Sequence, residues 1–199
     1  MKRLTTHAGI VLAALLACSA CGGKGSAYVS NSQSNSSQSP VNATGELRYA
    51  APEGWVKEQP TSAMRLAQYK LPKAEGDTED AALVVYFFGA SQGGAVSANI
   101  DRWISQIQQP DGSSSKDKAK TETSTVNGLK VTTVDVSGTY TAEMAPGTGN
   151  QRNDANYRLR AAVIETPKGN YFLKLYGPAK TVARWEQSVT DFVKSFEFK

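Results

Sequence analysis

One segment of the sequence has the spacing of a hydrolase nucleophile. Residues 89–93 read G-A-S-Q-G and lie between a predicted strand and a predicted helix, the arrangement that exposes such a serine. The only histidine in the chain is His7, at the N-terminal end. Since a serine nucleophile of this type depends on a neighbouring histidine base, a Ser-His-Asp triad is excluded. The alternative is a glycine-rich turn in which Ser91 caps the helix that follows.

Two other polar segments have spacings that occur in enzymes or metal sites. Residues 113–118, S-S-S-K-D-K, contain the S-x-x-K spacing twice, but the accompanying S-D-N and K-T-G motifs are absent. Residues 75–80, E-G-D-T-E-D, group oxygen ligands suited to calcium but lack the D-x-[DN]-x-[DN]-G order. We therefore expect two solvated loops and no metal site.

The distribution of cysteine and histidine narrows the chemistry further. Cys18 and Cys21 are the only cysteines, and with His7 they lie within the first 21 residues. The rest of the chain therefore lacks the residues for Cys-His catalysis, histidine proton transfer, thiolate zinc sites and internal disulfides. Carboxylates, lysine and tyrosine remain, so a carboxylate-based hydrolase stays as an alternative. The expectation is a protein that is not an enzyme, with no catalytic residue and no cofactor.

One acidic residue lies within a predicted strand. Asp135 stands between two valines, so we expect it to be partly buried in the sheet. A structural ion pair with Arg158 or Arg160 is the favoured interpretation. The alternative is a functional carboxylate, since buried acids sometimes mark active sites.

Three tryptophans are candidates for stacking on a sugar or a lipid. Trp103 and Trp185 fall on the apolar stripes of two predicted helices, which favours a place in the core. Trp55 follows Pro-Glu-Gly and is the freest of the three. The ligand-binding residues are otherwise unknown at this stage.

The N-terminal residues predict export and lipidation. Lys2 and Arg3 precede an apolar run of about ten residues, the order typical of a secretory signal. Such a run spans only about 15 Å as a helix, whereas a bilayer core is about 30 Å thick. Residues 15–18, L-L-A-C, resemble the lipobox of lipoproteins. This resemblance implies a signal peptide over 1–17 and a lipid on Cys18.

Two other cleavage positions stay open. Residues 18–21, C-S-A-C, would place the lipid on Cys21, and a cut after Ala20 would give secretion without lipid. In diderm bacteria, an aspartate directly after the lipidated cysteine favours retention in the inner membrane. Neither Cys18 nor Cys21 is followed by aspartate. The resemblance therefore implies a lipid-anchored cell-envelope protein, on the outer membrane facing the periplasm if the organism is diderm.

Composition divides the remaining chain into a linker and one domain. Residues 18–45 are dominated by Ser, Asn, Gln and Gly, a composition that buries too little apolar surface to fold, and predict a flexible tether. Of the 22 basic residues, three precede Glu46, so the domain over 46–199 contains 19 basic and 18 acidic residues. This near-neutral domain has no excess of positive charge for nucleic acid.

The domain alternates strand and helix patterns. Seven strands are predicted, over 47–50, 64–71, 81–88, 119–126, 129–142, 157–165 and 171–176. Asn127-Gly128 predicts a tight hairpin, and residues 167–170, P-K-G-N, predict another. The long strands should therefore be antiparallel neighbours, and the strand over 81–88, apolar on both faces, should lie inside the sheet.

Two helices are predicted from apolar stripes. The first stripe runs from Val96 to Ile107, and the second from Val182 to Phe196 after Pro178. Because both stripes need an apolar surface and the strand over 81–88 is apolar on two faces, helices are expected on both faces of the sheet. The predicted class is α+β, an α/β/α sandwich with a mostly antiparallel central sheet.

These elements resemble the PsbP-like superfamily, which includes the photosystem II extrinsic protein, a Ran-binding nuclear import factor and many bacterial lipoproteins. The resemblance covers 46–199 and rests on P-E-G-W at 52–55, M-R-L-A-Q-Y at 64–69, N-I-D-R-W at 99–103, V-D-V-S-G-T-Y at 134–140 and Y-F-L-K-L-Y-G-P at 171–178. It is greatest with uncharacterised bacterial members. No residues match the manganese, calcium or Ran contacts of the named proteins.

The resemblance implies a non-enzymatic module, because most members of the superfamily are assembly factors, binding modules or ligand carriers. The first hypothesis is a membrane-tethered extracytoplasmic domain that binds an envelope protein. The alternative is a carrier or sensor of a small apolar or sugar ligand, which requires a cavity of at least roughly 300 Å³.

Overall fold

The structure, a computed structural model, describes residues 47–144 and 147–199. The strands of these residues are β1 Leu47–Arg48, β2 Val56–Glu58, β3 Arg65–Leu71, β4 Ala81–Phe87, β5 Ile107–Gln108, β6 Lys120–Val126, β7 Leu129–Tyr140, β8 Asp154–Thr166, β9 Gly169–Pro178 and β10 Glu197–Phe198. The helices are α1 Val96–Ile104, α2 Ser115–Lys118, α3 Ala179–Arg184 and α4 Glu186–Lys194. The predicted α+β class is confirmed.

Eight of the strands form one antiparallel sheet. Seven of them follow the order β2-β3-β4-β9-β8-β7-β5, and the eighth, β6, pairs with β7. Two strands pair with the same edge of β7. Strand β6 pairs with residues 129–135 of β7, and β5 pairs with its last two residues. Strands β1 and β10 pair separately, with Leu47 opposite Phe198. Strand β4 lies inside the sheet, between β3 and β9, as its apolar sequence predicted.

Both predicted hairpins are confirmed. Asn127 and Gly128 have positive φ angles of 49° and 81°, as a type I′ turn requires, and Val126 pairs with Leu129 across the turn. Residues 167–168 join β8 to β9, with Thr166 opposite Gly169. These turns set the register of the three longest strands.

Alternate residues of the strands enter two different hydrophobic clusters. In β9, Tyr171, Leu173 and Leu175 contribute to a cluster that contains Val189 and Phe192 of α4. Phe172 belongs to a second cluster, together with Ile100, Trp103 and Ile104 of α1 and Leu159 and Val163 of β8. Successive strand residues point to opposite faces. The two clusters therefore take their β9 residues from opposite sides of that strand.

The helix boundaries differ from the predicted stripes. Helix α1 ends at Ile104, and Ile107 begins β5, so the last apolar residue of the stripe belongs to a strand. The second stripe forms two helices rather than one, with Trp185 between them at φ −98° and ψ 7°. There the Trp185 indole donates a hydrogen bond to the carbonyl of Pro72 at 2.8 Å.

Two details of the predicted loops are wrong, although residues 89–93 do form a turn and residues 113–118 are largely exposed. Residues 115–118 form the one-turn helix α2, whose first turn is capped by the Ser114 hydroxyl, an acceptor for the Lys116 amide at 3.2 Å. Ser91 does not cap α1, because the N-cap is Ala95 and makes no side-chain hydrogen bond. Instead Asn99 donates to the carbonyls of Gly93 and Ala95, at 2.8 and 2.9 Å, and ties the turn to the helix.

The signal peptide, both candidate lipidation sites Cys18 and Cys21, and the tether lie outside the described residues. Among the helices that are described, none has the length and apolar character needed to cross a bilayer.

Candidate functional site

A lysine lies inside the sheet, on the face that carries the α1 cluster. Lys174 is in the middle of β9, opposite Val84 of β4 and Ala161 of β8, and only 9% of its surface is exposed. Because side chains alternate along a strand, Phe172 and Tyr176 share its face. Lys174 therefore extends from a buried strand among aromatic rings.

The ammonium group of Lys174 is held by two oxygen atoms and two rings. Its Nζ donates to the Tyr140 hydroxyl at 2.9 Å and to the Gln106 side-chain carbonyl. It also lies 5.1 Å from the ring centre of Tyr140 and 5.2 Å from that of Tyr176. A backbone hydrogen bond supports this arrangement, since the main-chain amide of Thr141 donates to the main-chain carbonyl of Gln106 at 2.8 Å.

A bulge in β7 places Tyr140 over the lysine. The pairing register between β7 and β8 shifts between Gly138 and Tyr140. A Cβ atom at Gly138 would lie 2.5 Å from the Gln108 carbonyl oxygen, so only glycine permits the close approach of β5 here. The glycine thus brings β5, and with it Gln106, next to Tyr140.

Within the described ranges, no carboxylate forms a salt bridge with Lys174. Burial lowers the pKa of its amine to about 7, and the nearby guanidinium groups of Arg102 and Arg65 act in the same direction. Burial conversely raises the pKa of the Tyr140 phenol, which stays protonated at neutral pH. Both protonation states of Lys174 are therefore populated near neutral pH.

The lysine lies in a cavity of about 780 Å³. Most of the large side chains around it are aromatic or cationic, and they come from α1 and from strands across the sheet: Arg65, Tyr86, Phe88, Arg102, Trp103, Tyr140, Arg152, Phe172 and Tyr176. This volume lies within the range of small-molecule sites. The predicted requirement of a cavity for the ligand-carrier hypothesis is met.

Two of the cationic groups at the cavity contact amides rather than carboxylates. Arg65 donates to the Gln68 side chain at 2.6 Å, and Arg102 donates to the Asn99 side chain at 2.7 Å. Neither forms a salt bridge with any residue that the structure describes. Together with Lys174, these groups make the cavity suited to an anion.

Arg152 closes one side of the cavity but is already neutralised. It contacts the carboxylates of Asp154 and Glu79, and its guanidinium lies 5.7 Å from the Tyr140 ring centre. The Glu79 carboxylate also accepts a hydrogen bond from the Tyr157 hydroxyl. This network joins the acidic loop before β4 to the start of β8, and adds no unpaired charge to the site.

The predicted site residue Asp135 forms ion pairs within the sheet. Its two carboxylate oxygens accept hydrogen bonds from Arg158 at 2.8 and 2.5 Å, and Arg160 approaches at 3.2 Å. The bond to Asp135 raises the pKa of Arg158, with Glu186 as a second partner. A smaller cavity of about 290 Å³ lies beside Asp135, and at its wall Asp135 and Glu186 both pair with Arg160. The predicted ion pair is confirmed.

The acidic loop over 75–80 uses its carboxylates to hold the fold. Asp77 accepts hydrogen bonds from the Thr181 amide at 2.8 Å and hydroxyl at 2.6 Å, and Asp80 accepts one from the Lys73 amide at 2.9 Å. Across the described residues no three potential metal ligands of the His, Cys, Asp or Glu types cluster together. The carboxylates of this loop instead tie it to α3 and to the end of β3.

Trp103 lies in the core as predicted, whereas Trp55, predicted to be the freest tryptophan, packs in a hydrophobic cluster. Trp103, which the helical stripe placed in the core, is buried and also lines the Lys174 cavity. Trp55 packs on Phe192 and Tyr69, with ring centres 5.1 and 5.7 Å away, in the cluster on the other side of β9. The tryptophan nearest a ligand site is thus Trp103 rather than Trp55.

Sequence reasoning did not identify Lys174 as a site residue. The available signal was its position in Y-F-L-K-L-Y over 171–176, where a lysine shares a strand face with two aromatic residues. A solvent-exposed face would explain such a lysine equally well. Only the packing of Trp103 and Tyr140 from distant segments shows that this face is covered.

A comparison with models of known families finds no match, and neither does a comparison with curated protein sequences. Solved structures do match. LpqN of Mycobacterium tuberculosis, involved in cell envelope biogenesis, superposes with a TM-score of 0.51 at 10% identity, over 78% of this chain and 86% of LpqN. This chain is therefore similar to LpqN in fold.

Two further structures superpose less closely. PA94, a protein of unknown function from Pseudomonas aeruginosa, gives a TM-score of 0.43 at 15% identity, covering 71% of this chain and 94% of PA94. PsbP (CyanoP) from Synechocystis gives 0.44 at 8% identity, covering 81% and 98%. The matched structures thus include a cyanobacterial PsbP as well as LpqN.

Proposed function

We propose that this chain is an extracytoplasmic lipoprotein whose domain binds a small anionic ligand with an apolar body. The ligand occupies the cavity around Lys174, and the lipid on Cys18, or on Cys21 in the alternative frame, tethers the domain to the envelope. The proposal takes up the carrier or sensor hypothesis and changes the class of ligand. An envelope protein partner remains the alternative, and a carboxylate-based hydrolase the second one.

The observation that supports this proposal is the environment of Lys174. A buried amine without a carboxylate partner destabilises a folded protein, because the charged form loses its hydration. Here the amine faces a cavity rather than packed side chains, and Arg65 and Arg102 add two more cationic groups without carboxylate contacts. An anion would compensate all three groups, while the aromatic walls suit an apolar body.

The location rests on the sequence and agrees with one comparison. The lipobox-like segment ending at Cys18 supports a lipid anchor, and the polar tether supports a domain held away from the membrane. LpqN, similar in fold, is involved in cell envelope biogenesis. Since neither Cys18 nor Cys21 precedes aspartate, we place the protein on the outer membrane, facing the periplasm, in a diderm organism.

The binding role also accords with the arrangement of layers that we propose. Helix α1 packs in the cluster that contains Phe172, and α4 packs in the cluster that contains Leu173, its neighbour in β9. This alternation supports helices on both faces of the sheet, the α/β/α sandwich. Such a framework supports a cavity lined by α1 and by the sheet.

The proposal is tested with two fluorescent probes that differ in one charge. 1-Anilinonaphthalene-8-sulfonate carries a sulfonate, and N-phenyl-1-naphthylamine is the same ring system without it. We expect the full-length chain, with Cys18→Ser and Cys21→Ser to prevent lipidation, to bind the sulfonate roughly tenfold more tightly, since a charge-assisted hydrogen bond contributes about 1.5–3 kcal/mol.

Lys174→Met should remove most of this preference, while Lys120→Met, a change at an exposed lysine, should leave it intact. Circular dichroism of each variant shows whether the fold is retained. Equal affinity for the two probes in the parent chain, or a preference that survives Lys174→Met in a folded protein, contradicts the proposal.

A further inference from the structure

The amine of Lys174 is oriented as a nucleophile when it is neutral. A tetrahedral nitrogen has four directions, of which one is its bond to the side chain. Two N–H groups are directed to Gln106 and Tyr140. In the residues that the structure describes, no third acceptor contacts Nζ. The fourth direction of the neutral amine is its lone pair, and Lys174 is one of the residues that line the cavity.

The groups needed for imine chemistry surround this nitrogen. The Tyr140 hydroxyl lies 2.9 Å from Nζ and stays protonated, so it is placed to pass a proton to an oxygen atom that leaves the reacting carbon. Arg102 and Arg65 line the same cavity as Lys174, so a ligand carboxylate beside them shares that cavity with the amine. Desolvation next to cationic groups is the environment in which lysine becomes nucleophilic.

We propose that Lys174 captures a small carbonyl compound bearing a carboxylate, of the 2-oxo acid class, as a reversible imine within this cavity. The inference rests on the proposed function and names its ligand class. The lone pair of Nζ forms a bond to the carbonyl carbon, and the two hydrogens of the amine leave with the carbonyl oxygen as water. Water reverses the reaction, so the ligand is released unchanged and no oxidant or reductant is needed.

Protonation of Lys174 controls the capture. The charged and titratable groups that face the amine come from five elements and from the cavity rim: Arg65, Tyr86, Arg102, Tyr140, Glu143, Arg152 and Tyr176. The tyrosines whose pKa values shift, Tyr86 and Tyr140, shift upward through burial and stay neutral. The rate of capture should therefore rise with pH through about 7, where the amine becomes neutral.

The experiment traps the imine by reduction. The unlipidated full-length chain is incubated near pH 7 with phenylglyoxylate and sodium cyanoborohydride, and the modified lysine is located by peptide mass spectrometry. We expect a mass increase of the ligand less one oxygen, at Lys174 roughly a hundredfold faster than at Lys120. Lys120 is the internal control, because its hydrogen bond to Glu122 raises its pKa. Tyr140→Phe should slow trapping at Lys174, because the hydroxyl that passes the proton is removed.

Mandelate, which carries a hydroxyl in place of the carbonyl, separates the two proposals. Displacement of the sulfonate probe by both mandelate and phenylglyoxylate, with trapping at Lys174 by phenylglyoxylate alone, supports the imine. Displacement by both without preferential trapping at Lys174 overturns the imine and leaves the binding function intact. Failure of both compounds and of the probe to bind overturns both proposals.

Discussion

Lys174 places an amine where its charge is poorly solvated, and this has a consequence for stability. The pKa of the amine falls from its ordinary value of 10.5 to about 7 on folding, so between these values the unfolded chain binds more protons than the folded one. The free energy of unfolding therefore rises with pH across this window. Below about pH 7 the full cost of burying the charge is present.

Replacement of this amine should remove the pH dependence. We expect Lys174→Met to raise the free energy of unfolding by about 2–4 kcal/mol near pH 6, with the gain shrinking as pH increases toward about 9. Urea denaturation of both proteins across this range measures the difference. Lys120→Met, at an exposed residue, should give a small and nearly constant difference. A gain from Lys174→Met that does not change with pH would contradict this account.

At this scale the sequence predicted paired groups better than unpaired ones. The ion pair of Asp135 followed from its place between valines and from arginines at 158 and 160, one strand away. Among the residues that the structure describes, Lys174 has no oppositely charged partner whose position could reveal it. Its environment depends on Gln106 and Tyr140, which lie in other elements and meet only through the fold.

The glycine-rich turn before α1 is an element whose geometry shapes the cavity wall. Gly93 has φ +87°, and a Cβ atom there would lie 2.5 Å from the Phe172 ring. Gly76 has nearly the same angle, φ +84°, with no atom within 4 Å of the corresponding position. The two glycines thus share backbone strain on substitution but differ in the space around them.

The comparison of these glycines gives a prediction. Gly76→Ala should cost about 1–2 kcal/mol of stability from the left-handed conformation alone. Gly93→Ala should cost about 1–3 kcal/mol more, since the added methyl displaces Phe172 or the turn. Chemical denaturation measures both, and Gly93→Ala should also weaken binding of the sulfonate probe. Equal losses in the two variants would show that Phe172 yields without cost.

Elements were predicted well where hydrophobic periodicity was long and turn residues were decisive. Residues 127–128 and 167–168 set the hairpins of the long strands β6 to β9, and these are confirmed. The two-residue strands β5 and β10 have too few positions to show a period. The break at Trp185 was also missed, because the apolar stripe continues through it and only the contact with Pro72 marks the position.

On the scale of the whole molecule, the proposed lipid anchor would decide where the cavity operates. We expect Cys18→Ser to abolish incorporation of an alkyne-labelled palmitate and to release the protein from the membrane fraction, whereas Cys21→Ser should retain both. The expectation follows from Leu15 three residues before Cys18 and a small residue just before it. Loss of label in Cys21→Ser alone would assign the lipid to Cys21. Absence of label in the parent chain would support the third alternative, secretion without lipid.

The pairing of β1 with β10 has a mechanical consequence. Leu47 and Arg48 pair with Phe198 and Glu197, outside the large sheet, while Tyr49 packs on the rings of α4 and its C-terminal end. Tension transmitted along the chain before Leu47 reaches this two-residue ladder first. Opening it separates the two ends of the domain but breaks no bond of the eight-stranded sheet. If the proposed tether is pulled, this ladder can therefore open before the strand that carries Lys174 is disturbed.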